Sequence, residues 1–344
     1  MNEPLRIGVL GAARITELAL ITPAGITGDQ VVAVAARNPE RAAAFAQEHG
    51  VERVLPDYAA VVADPEVEVI YNPLANALHG PWNRAAIDAG KHVLSEKPFA
   101  SNAEEARRVR AAAVAAGVAV MEGFHYLHHP VMRRLHALLD GGELGALRRV
   151  ETRFAMPAPP DSDPRWSLAL AGGALMDLGC YSLHAQRMLA PWTGGEPWVV
   201  AARGVERADR PGVDQRMEAD LEFPGGATGL AHCDMAAADW RITCRLVGTA
   251  GEATATNFVR PDQDDRVRWV GRDGTHREEH LGTRSSYTYQ LEAFRAHLRG
   301  GAPLPIDVDD AVATAELIDA VYAAAGFPPR PTAEPAELRA ARRS

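Results

Sequence analysis

Short apolar runs alternate with segments of helical period through the first 122 residues, and few folds accept that alternation. Leu5–Leu10, Val31–Ala36, Val67–Tyr71, Lys91–Ser95 and Val118–Met121 read as strands. Between them, Pro39–His49, Asp57–Ala63, Leu78–Ala89 and Ala103–Ala116 read as helices, with Gly90 as a stop signal. Strands separated by helical stretches build a parallel sheet covered on both faces. We therefore expect an α/β, doubly wound domain over residues 1–122, with its ligands at the carboxyl ends of the strands.

Beyond Pro130 the pattern changes. A helix over Met132–Asp140 precedes strand-like stretches at Leu147–Phe154, Trp198–Gly204, Gln215–Phe223, Thr228–Met235, Arg241–Val247 and Arg266–Val270. Turns at Pro224-Gly225-Gly226 and Arg272-Asp273-Gly274 suit hairpins. The expectation is an α+β domain over residues 123–344, with a mostly antiparallel sheet. A chain of 344 residues has room for two such domains.

Composition narrows the function classes. The net charge of −9 argues against non-specific binding to nucleic acid or to an anionic membrane surface. Ala111–Met121, the longest apolar run, is far short of the ~20 residues that span a bilayer. Cys180, Cys233 and Cys244 are odd in number and widely spaced, which gives neither a disulfide framework nor a zinc pattern. The N-terminus does not read as a signal peptide, and we expect a cytoplasmic protein.

Two turns at the expected ligand edge carry chemistry. The first βα turn reads Gly8-Val-Leu-Gly11-Ala12-Ala13-Arg14-Ile15. Small residues there let the backbone approach a pyrophosphate seated on the helix N-terminus. Gly11 fills the first glycine role, while Ala13 stands where the dinucleotide fingerprint has its second. An NAD site usually ends strand two in Asp or Glu, but here Arg37-Asn38 follows it, with Arg41 beyond. Arg37 and Arg41 suit a 2′-phosphate, so NADP is expected, with NAD as the alternative. The bland reading of Arg37 is a solvated side chain or one stacked on adenine.

Leu74, Asn76 and His79 follow the strand at 67–71 and belong to the same edge. Only two of the 36 basic residues are lysines, Lys91 and Lys97. An amine differs from guanidinium in that its pKa can be moved into a working range. Lys91 starts a strand and reads as a surface residue, whereas Glu96-Lys97-Pro98 ends one at the ligand edge. An ion pair between Glu96 and Lys97 is disfavoured because neighbouring strand residues point to opposite faces.

Gly90-Lys-His-Val-Leu-Ser-Glu96-Lys97-Pro98, followed by Gly172-Gly-Ala-Leu-Met-Asp177-Leu-Gly179-Cys-Tyr181, resembles the Gfo/Idh/MocA oxidoreductases over nearly the whole chain. The likeness is greatest to the branch holding dimeric dihydrodiol dehydrogenases, D-xylose dehydrogenases and glucose–fructose oxidoreductase. It implies a Rossmann domain, then a domain whose large open sheet walls the substrate cleft and joins subunits into a homodimer or homotetramer. It also implies that Lys97 sits beside nicotinamide and substrate. Where many members carry a proton-transferring His, this chain has Tyr181, and the relatives with Tyr there mostly use NADP. His184 stands where inositol dehydrogenases carry Asp, which argues against inositol as the substrate. Arg165-Trp166 and Ser286-Tyr287 match segments near the nicotinamide and the cleft, and Phe124 falls among the substrate contacts. Leu127 departs from the Arg usual in close relatives. His125, His128 and His129 nearby match no metal site, because no carboxylate or Cys completes a ligand set.

From these residues we expect hydride transfer between NADP and a hydroxyl or carbonyl carbon of a sugar or cyclic diol. Tyr181 would be general acid/base, with Lys97 lowering its pKa and binding the reacting oxygen. Asp177 would orient Lys97 or a sugar hydroxyl, its bland alternative being a helix-start contact. NAD-linked glycosidase or epimerase chemistry and a non-catalytic NAD(P)-binding regulator are the competing readings. Retention of Lys97, Asp177 and a phenol argues against the regulator, which needs no proton relay.

Overall fold

The protein is described by a computed structural model over residues 3–304, 306–335 and 338. Its chain sorts into two compact units. The first comprises Met1–Phe124, Tyr287–Ala315 and Pro331–Ser344; the second comprises His125–Ser286 and Glu316–Arg330.

Six strands form the sheet of the first unit: β1 (Arg6–Leu10), β2 (Gln30–Ala35), β3 (Arg53–Val54), β4 (Val69–Asn72), β5 (His92–Ser95) and β6 (Val120–Glu122). All pair in parallel, in the order β3-β2-β1-β4-β5-β6. This is the doubly wound order in which ligands gather at the carboxyl edge. The connecting helices are α1 (Thr22–Thr27), α2 (Pro39–His49), α3 (Tyr58–Ala63), α4 (His79–Asp88) and α5 (Ala103–Ala116). Side chains of Asn38, Asp57 and Asn102 cap α2, α3 and α5, supplying acceptors to N–H groups that the first turn leaves unpaired. Ala33, Ile70, Val93 and Val120 from the strands pack against Trp82, Ile87, Val109 and Ala113 from α4 and α5. Each large side chain buried there contributes roughly 1.5–3 kcal/mol.

The second unit is built on eight strands: β7 (Leu147–Ala155), β8 (Trp198–Glu206), β9 (Asp214–Glu222), β10 (Thr228–Asp234), β11 (Arg241–Gly248), β12 (Glu252–Ala255), β13 (Arg266–Val270) and β14 (His276–His280). Their order is β14-β13-β12-β11-β7-β10-β9-β8, antiparallel at every pairing except β7 with β10. Three helices belong here: α6 (Pro130–Asp140), α7 (Cys180–Arg187) and α8 (Ala190–Thr193). A π-helical turn over Leu175–Gly179 leads into α7, which lies on one face of β7 and β10. Along β9, Met217, Ala219 and Leu221 are buried while their neighbours are partly or fully exposed, so the sheet covers its core with one face only.

Two long helices close the chain, α9 (Ser286–Gly300) and α10 (Val308–Ala324). Here the structure departs from the contiguous division expected at 122/123. Ala311 and Ala315 of α10 join the core of the first unit, Arg110 pairs with Asp309, and Arg299 binds Glu68 at 2.7 Å. Apolar stripe and charge together return this late segment to the Rossmann unit. β3, β12, β14 and α10 were also not anticipated. β14 reads His-Arg-Glu-Glu-His, with no apolar residue to mark it. It forms as an edge strand whose Glu279 accepts from the Trp269 indole of β13 at 2.8 Å.

Candidate functional site

In the first unit the residues expected to hold cofactor gather on two loops. Gly11 has φ +95°, a left-handed conformation that L side chains resist, and its N–H donates to Ala35 O at 2.7 Å. Gly8 serves packing instead: a Cβ there would stand 2.7 Å from Val61 of α3. Ala12, Ala13 and Ile15 are half-buried and Arg14 is exposed. Arg37 is exposed beyond β2, with no ion-pair partner among the described residues. Asn38 accepts the Arg41 N–H at 2.8 Å, which commits its amide oxygen to the helix cap. The Arg41 guanidinium donates to Ala12 O at 2.9 Å and so leans over the first βα turn.

The second loop pair surrounds Lys97. Tyr71 at the end of β4 donates to Glu96 Oε1 at 2.8 Å. Glu96 is thus tied to the neighbouring strand. Asn72, Asn83 and Ser95 form a buried chain, Nδ2 to Oδ1 and Nδ2 to Oγ, each 2.8 Å. Glu122 Oε1 accepts the Phe99 N–H at 2.8 Å and holds the turn just after Lys97-Pro98. His79 is buried, with Nδ1 2.7 Å from Pro98 O and Nε2 2.8 Å from Leu74 O. Both nitrogens therefore face main-chain carbonyls, and the ring braces two loops rather than presenting a polar atom to a cofactor. Burial pushes its pKa down to about 4. Leu74, Asn76 and Lys97 are half-buried on these loops, and Phe124 is fully buried. Lys91, expected on the surface, is half-buried and donates to Asp64 O at 2.8 Å and Val67 O at 2.7 Å. Strand ends offer bare carbonyls, and an ammonium with three donors satisfies two of them.

In the second unit, the Gly172-Gly173 segment has glycines for steric reasons. A Cβ on Gly172 would meet Arg165 O at 2.4 Å, and Gly173 has φ +133° with Asp214 against it. Asp214 is buried and accepts from Arg330, from Tyr322 Oη at 2.9 Å and from Leu175 N at 2.7 Å. That knot fixes the turn carrying Asp177 and Tyr181. Asp177 accepts from Arg165 Nε at 2.6 Å, and Arg165 also reaches Asp163 at 3.2 Å. The two carboxylates, Asp177 first, raise the Arg165 pKa above its ordinary range. Trp166 is buried, donates to Pro159 O at 3.2 Å and lies under the Arg207 guanidinium at 4.1 Å.

Tyr181 is 3 % exposed, its ring packed against Phe154, Tyr126 and His125 at 5.6–5.9 Å between centroids. Its hydroxyl lies 3.1 Å from His125 Nε2, and His125 Nδ1 lies 2.7 Å from Ser286 Oγ. His184 is fully buried with Nδ1 2.6 Å from Tyr126 Oη, which spends that nitrogen inside the protein instead of on the expected substrate. Tyr287 is buried in the first unit. Sequence reasoning gave no role to His125, Glu122 or Tyr126, and took Ser286 only as part of a segment lining the cleft. His125 entered as part of a histidine cluster weighed for metal and set aside. Among the described residues no group of three or more His, Cys, Asp or Glu is placed to hold a metal ion. None of the described helices is long and apolar enough to cross a membrane.

Comparison with known proteins agrees with this arrangement. The chain is 34% identical over 324 residues to D-xylose 1-dehydrogenase (NADP(+)) 2 of Haloferax volcanii, covering 93% of this chain and 97% of that one. It is 32% identical to dTDP-3,4-didehydro-2,6-dideoxy-alpha-D-glucose 3-reductase of Saccharopolyspora spinosa, covering 88% and 90%. Among solved structures, a 3-ketoreductase from Actinomadura kijaniata in complex with NADP and TDP-benzene superposes with a TM-score of 0.86 at 29% identity, covering 94% and 98%. Residues 5–124 match the model of an oxidoreductase family with an NAD-binding Rossmann fold, and residues 132–254 match that of the GFO/IDH/MocA C-terminal domain. With both halves matched in order, the chain belongs to the Gfo/Idh/MocA family of oxidoreductases.

Proposed function

We propose that the protein is an NADP-dependent dehydrogenase or reductase acting at a hydroxyl or carbonyl carbon of a sugar or cyclic diol. The observation that carries this reading is the buried phenol of Tyr181. Its hydroxyl is held 3.1 Å from His125 Nε2 inside a buried ring cluster, a setting in which a phenol can pass a proton to and from an imidazole. The relatives described above, a D-xylose dehydrogenase and a dTDP-sugar reductase, act on sugars, which supports the substrate class.

The residues present suit the nucleotide. Gly11 allows a close backbone approach, α1 and its preceding π-turn follow the first βα loop, and Arg37 and Arg41 offer guanidinium groups at the end of β2. Leu74, Asn76, Glu96, Arg165, Trp166 and Tyr287 are the further residues assigned to it, with Arg37 reading the 2′-phosphate. When bound, the nicotinamide supplies hydride chemistry. The chain's own work is to hold the substrate and move one proton. Tyr181 exchanges a proton with the reacting oxygen, and Lys97 hydrogen-bonds that oxygen and favours negative charge on it. Asp177, anchored by Arg165, orients a neighbouring hydroxyl, and Phe124, Trp166 and His184 shape the site from within.

The outer face of the second sheet is assigned to a further copy of the chain, giving a homodimer or homotetramer. Trp198 and Val200 on β8 are 47% and 54% exposed, more apolar surface than an edge strand comfortably leaves in water. We place the protein in the cytoplasm, where Cys180, Cys233 and Cys244 remain free thiols. The test is NADPH formation by the purified protein across aldoses, inositols and cyclic diols, with NAD in parallel. Turnover of a sugar or diol with NADP is expected. Failure with all of them, or hydrolysis or epimerisation without net NADPH, would overturn the reading.

A further inference from the structure

His125 is the sequence motif that the proposed chemistry leaves unused, and it lies between two hydroxyls. Its Nε2 is 3.1 Å from Tyr181 Oη and its Nδ1 is 2.7 Å from Ser286 Oγ. All three side chains are buried, at 0 %, 3 % and 1 % exposure for His125, Tyr181 and Ser286. They come from three separate elements: the 3-10 turn His125–His128, α7, and the first residue of α9. Each ring nitrogen of His125 thus faces a hydroxyl.

We infer that Tyr181, His125 and Ser286 form a proton relay in which the phenol is the conduit, the imidazole stores the proton and the serine orients the imidazole. This rests on the reading of Tyr181 as the group that meets the substrate oxygen. A neutral imidazole has one donor and one acceptor nitrogen. With Nδ1–H donating to Ser286 Oγ, Nε2 is left to accept from the Tyr181 hydroxyl. In alcohol oxidation the substrate O–H breaks and its proton goes to Tyr181 Oη, while the proton already on Tyr181 passes to His125 Nε2. The carbinol C–H breaks with its electron pair, which leaves as hydride for the bound nicotinamide nucleotide, and the C=O bond forms. The carbinol loses two electrons, the nucleotide gains them, and the imidazole gains one proton. Ketone reduction runs the same steps backwards.

The relay removes a difficulty in using a phenol alone. An isolated phenol titrates near 10 and an imidazole near 6.5, so the imidazole is the better base at neutral pH. Tyr181 then never has to persist as phenolate. Burial disfavours a lasting imidazolium, so the proton returns through Tyr181 once product leaves. The titratable groups set against the imidazole are Tyr181 on α7 and, in the same ring cluster, Tyr126 and His184, which are bonded to each other. His125 and Ser286 touch neither substrate nor nucleotide in this scheme and act through Tyr181 as positioning and relay residues.

Two measurements test it. The first is kcat/KM against pH for NADP-linked oxidation of D-xylose or another sugar or diol turned over in the panel above. The basic form of wild type should gain activity through a limb at or below about 6.5. His125→Phe, which keeps a ring of similar size, should lower kcat by about 10²-fold and move that limb up towards the phenol range near 10. Ser286→Ala should give a smaller loss, restored by Ser286→Thr. An unchanged limb in His125→Phe overturns the relay. The second needs no turnover: ¹⁵N-histidine NMR, with His125 assigned by its absence from His125→Phe. Tyr181→Phe should shift the Nε2 resonance and Ser286→Ala the Nδ1 resonance. Indifference of either nitrogen overturns the relay, whereas absence of NADPH formation with every substrate overturns only the proposed function.

Discussion

The turn carrying Lys97 and the pocket holding Tyr181 are held by different kinds of bond. Around Lys97 the anchors that tie the loops together grip main chain, His79 facing the carbonyls of Leu74 and Pro98 and Glu122 taking the Phe99 N–H, beside the side-chain pairs Tyr71–Glu96 and Asn72–Asn83–Ser95 at the strand ends. Around Tyr181 the anchors are side chain to side chain: phenol to imidazole, imidazole to serine, and a second phenol to His184. A loop gripped by its backbone keeps its path whatever side chain it displays. A pocket built from side chains changes when any one of them does. The first region can lose its functional amine without losing its shape, while the second couples shape and chemistry.

The largest expected effect tests the first half of that contrast. Lys97→Arg keeps the charge but alters its shape and removes a titratable amine. We expect near-complete loss of turnover with NADP binding and melting temperature close to wild type, measured by steady-state kinetics, titration and thermal unfolding. Activity near wild type would mean that Lys97 serves only as a charge, and a collapsed melting temperature would mean that the amine helps hold the turn. Tyr181→Phe comes next. Removing the hydroxyl should lower kcat by about 10²–10⁴-fold, the usual worth of general acid/base catalysis. Tyr181→His should recover part of that activity by restoring a titratable group at the same position. If Tyr181→Phe leaves the profile intact and His184→Ala abolishes it, the donor is His184.

The same contrast explains what could be read from the sequence. Five strands of the parallel sheet, the helices α2 to α5 and the Lys97 turn were legible because their signals are local. Asn38, Asp57 and Asn102 cap the helices that they precede, and Glu96-Lys97-Pro98 ends its own strand. Most strands of the second sheet were legible too, from alternation and turn residues. The Tyr181 pocket was visible at Tyr181 and, through the resemblance, at Ser286, but not as a connected site. His125 lies 56 residues from Tyr181 and Ser286 lies 161 residues from His125, and no periodicity points from one to another. The return of the first half of α10, through Ala315, to the first unit was hidden for a related reason, since the small residues Ala311 and Ala315 look like any helix face until their neighbours are known.

Cofactor discrimination sharpens the comparison on the first unit's edge. Arg37 is exposed and outside the network that fixes the loops, so changing it should alter binding without altering structure. Arg37→Asp replaces a phosphate partner with a like charge. A lost charge-assisted hydrogen bond is worth about 1.5–3 kcal/mol, so NADP affinity should fall roughly 10–100-fold while NAD affinity barely moves. Equal losses for the two nucleotides in fluorescence titrations would remove the 2′-phosphate from the role of Arg37.

The smallest effect concerns the brace itself. In His79, burial opposes the charged imidazole while two carbonyls favour it, and burial dominates, leaving a pKa of about 4. The folded value is thus below the unfolded one near 6.5, so the unfolded chain binds its proton first as pH falls. Stability from this group is fully present above about 6.5 and is lost progressively between 6.5 and 4, reaching about 2 kcal/mol at pH 5. His128, also pushed down to about 4 by burial, acts in the same sense and makes the wild-type slope alone uninformative. The difference between wild type and His79→Gln isolates the residue. Glutamine loses the ring's buried packing and its N–H bond to a loop carbonyl, so the variant should be less stable at pH 7 in urea unfolding, and the gap should narrow by up to about 2 kcal/mol at pH 5. A gap constant with pH would show that His79 does not titrate across this range. A gap that widens in acid would show the carbonyls holding an imidazolium, and the Lys97 turn would then be braced by charge as well as by main-chain geometry.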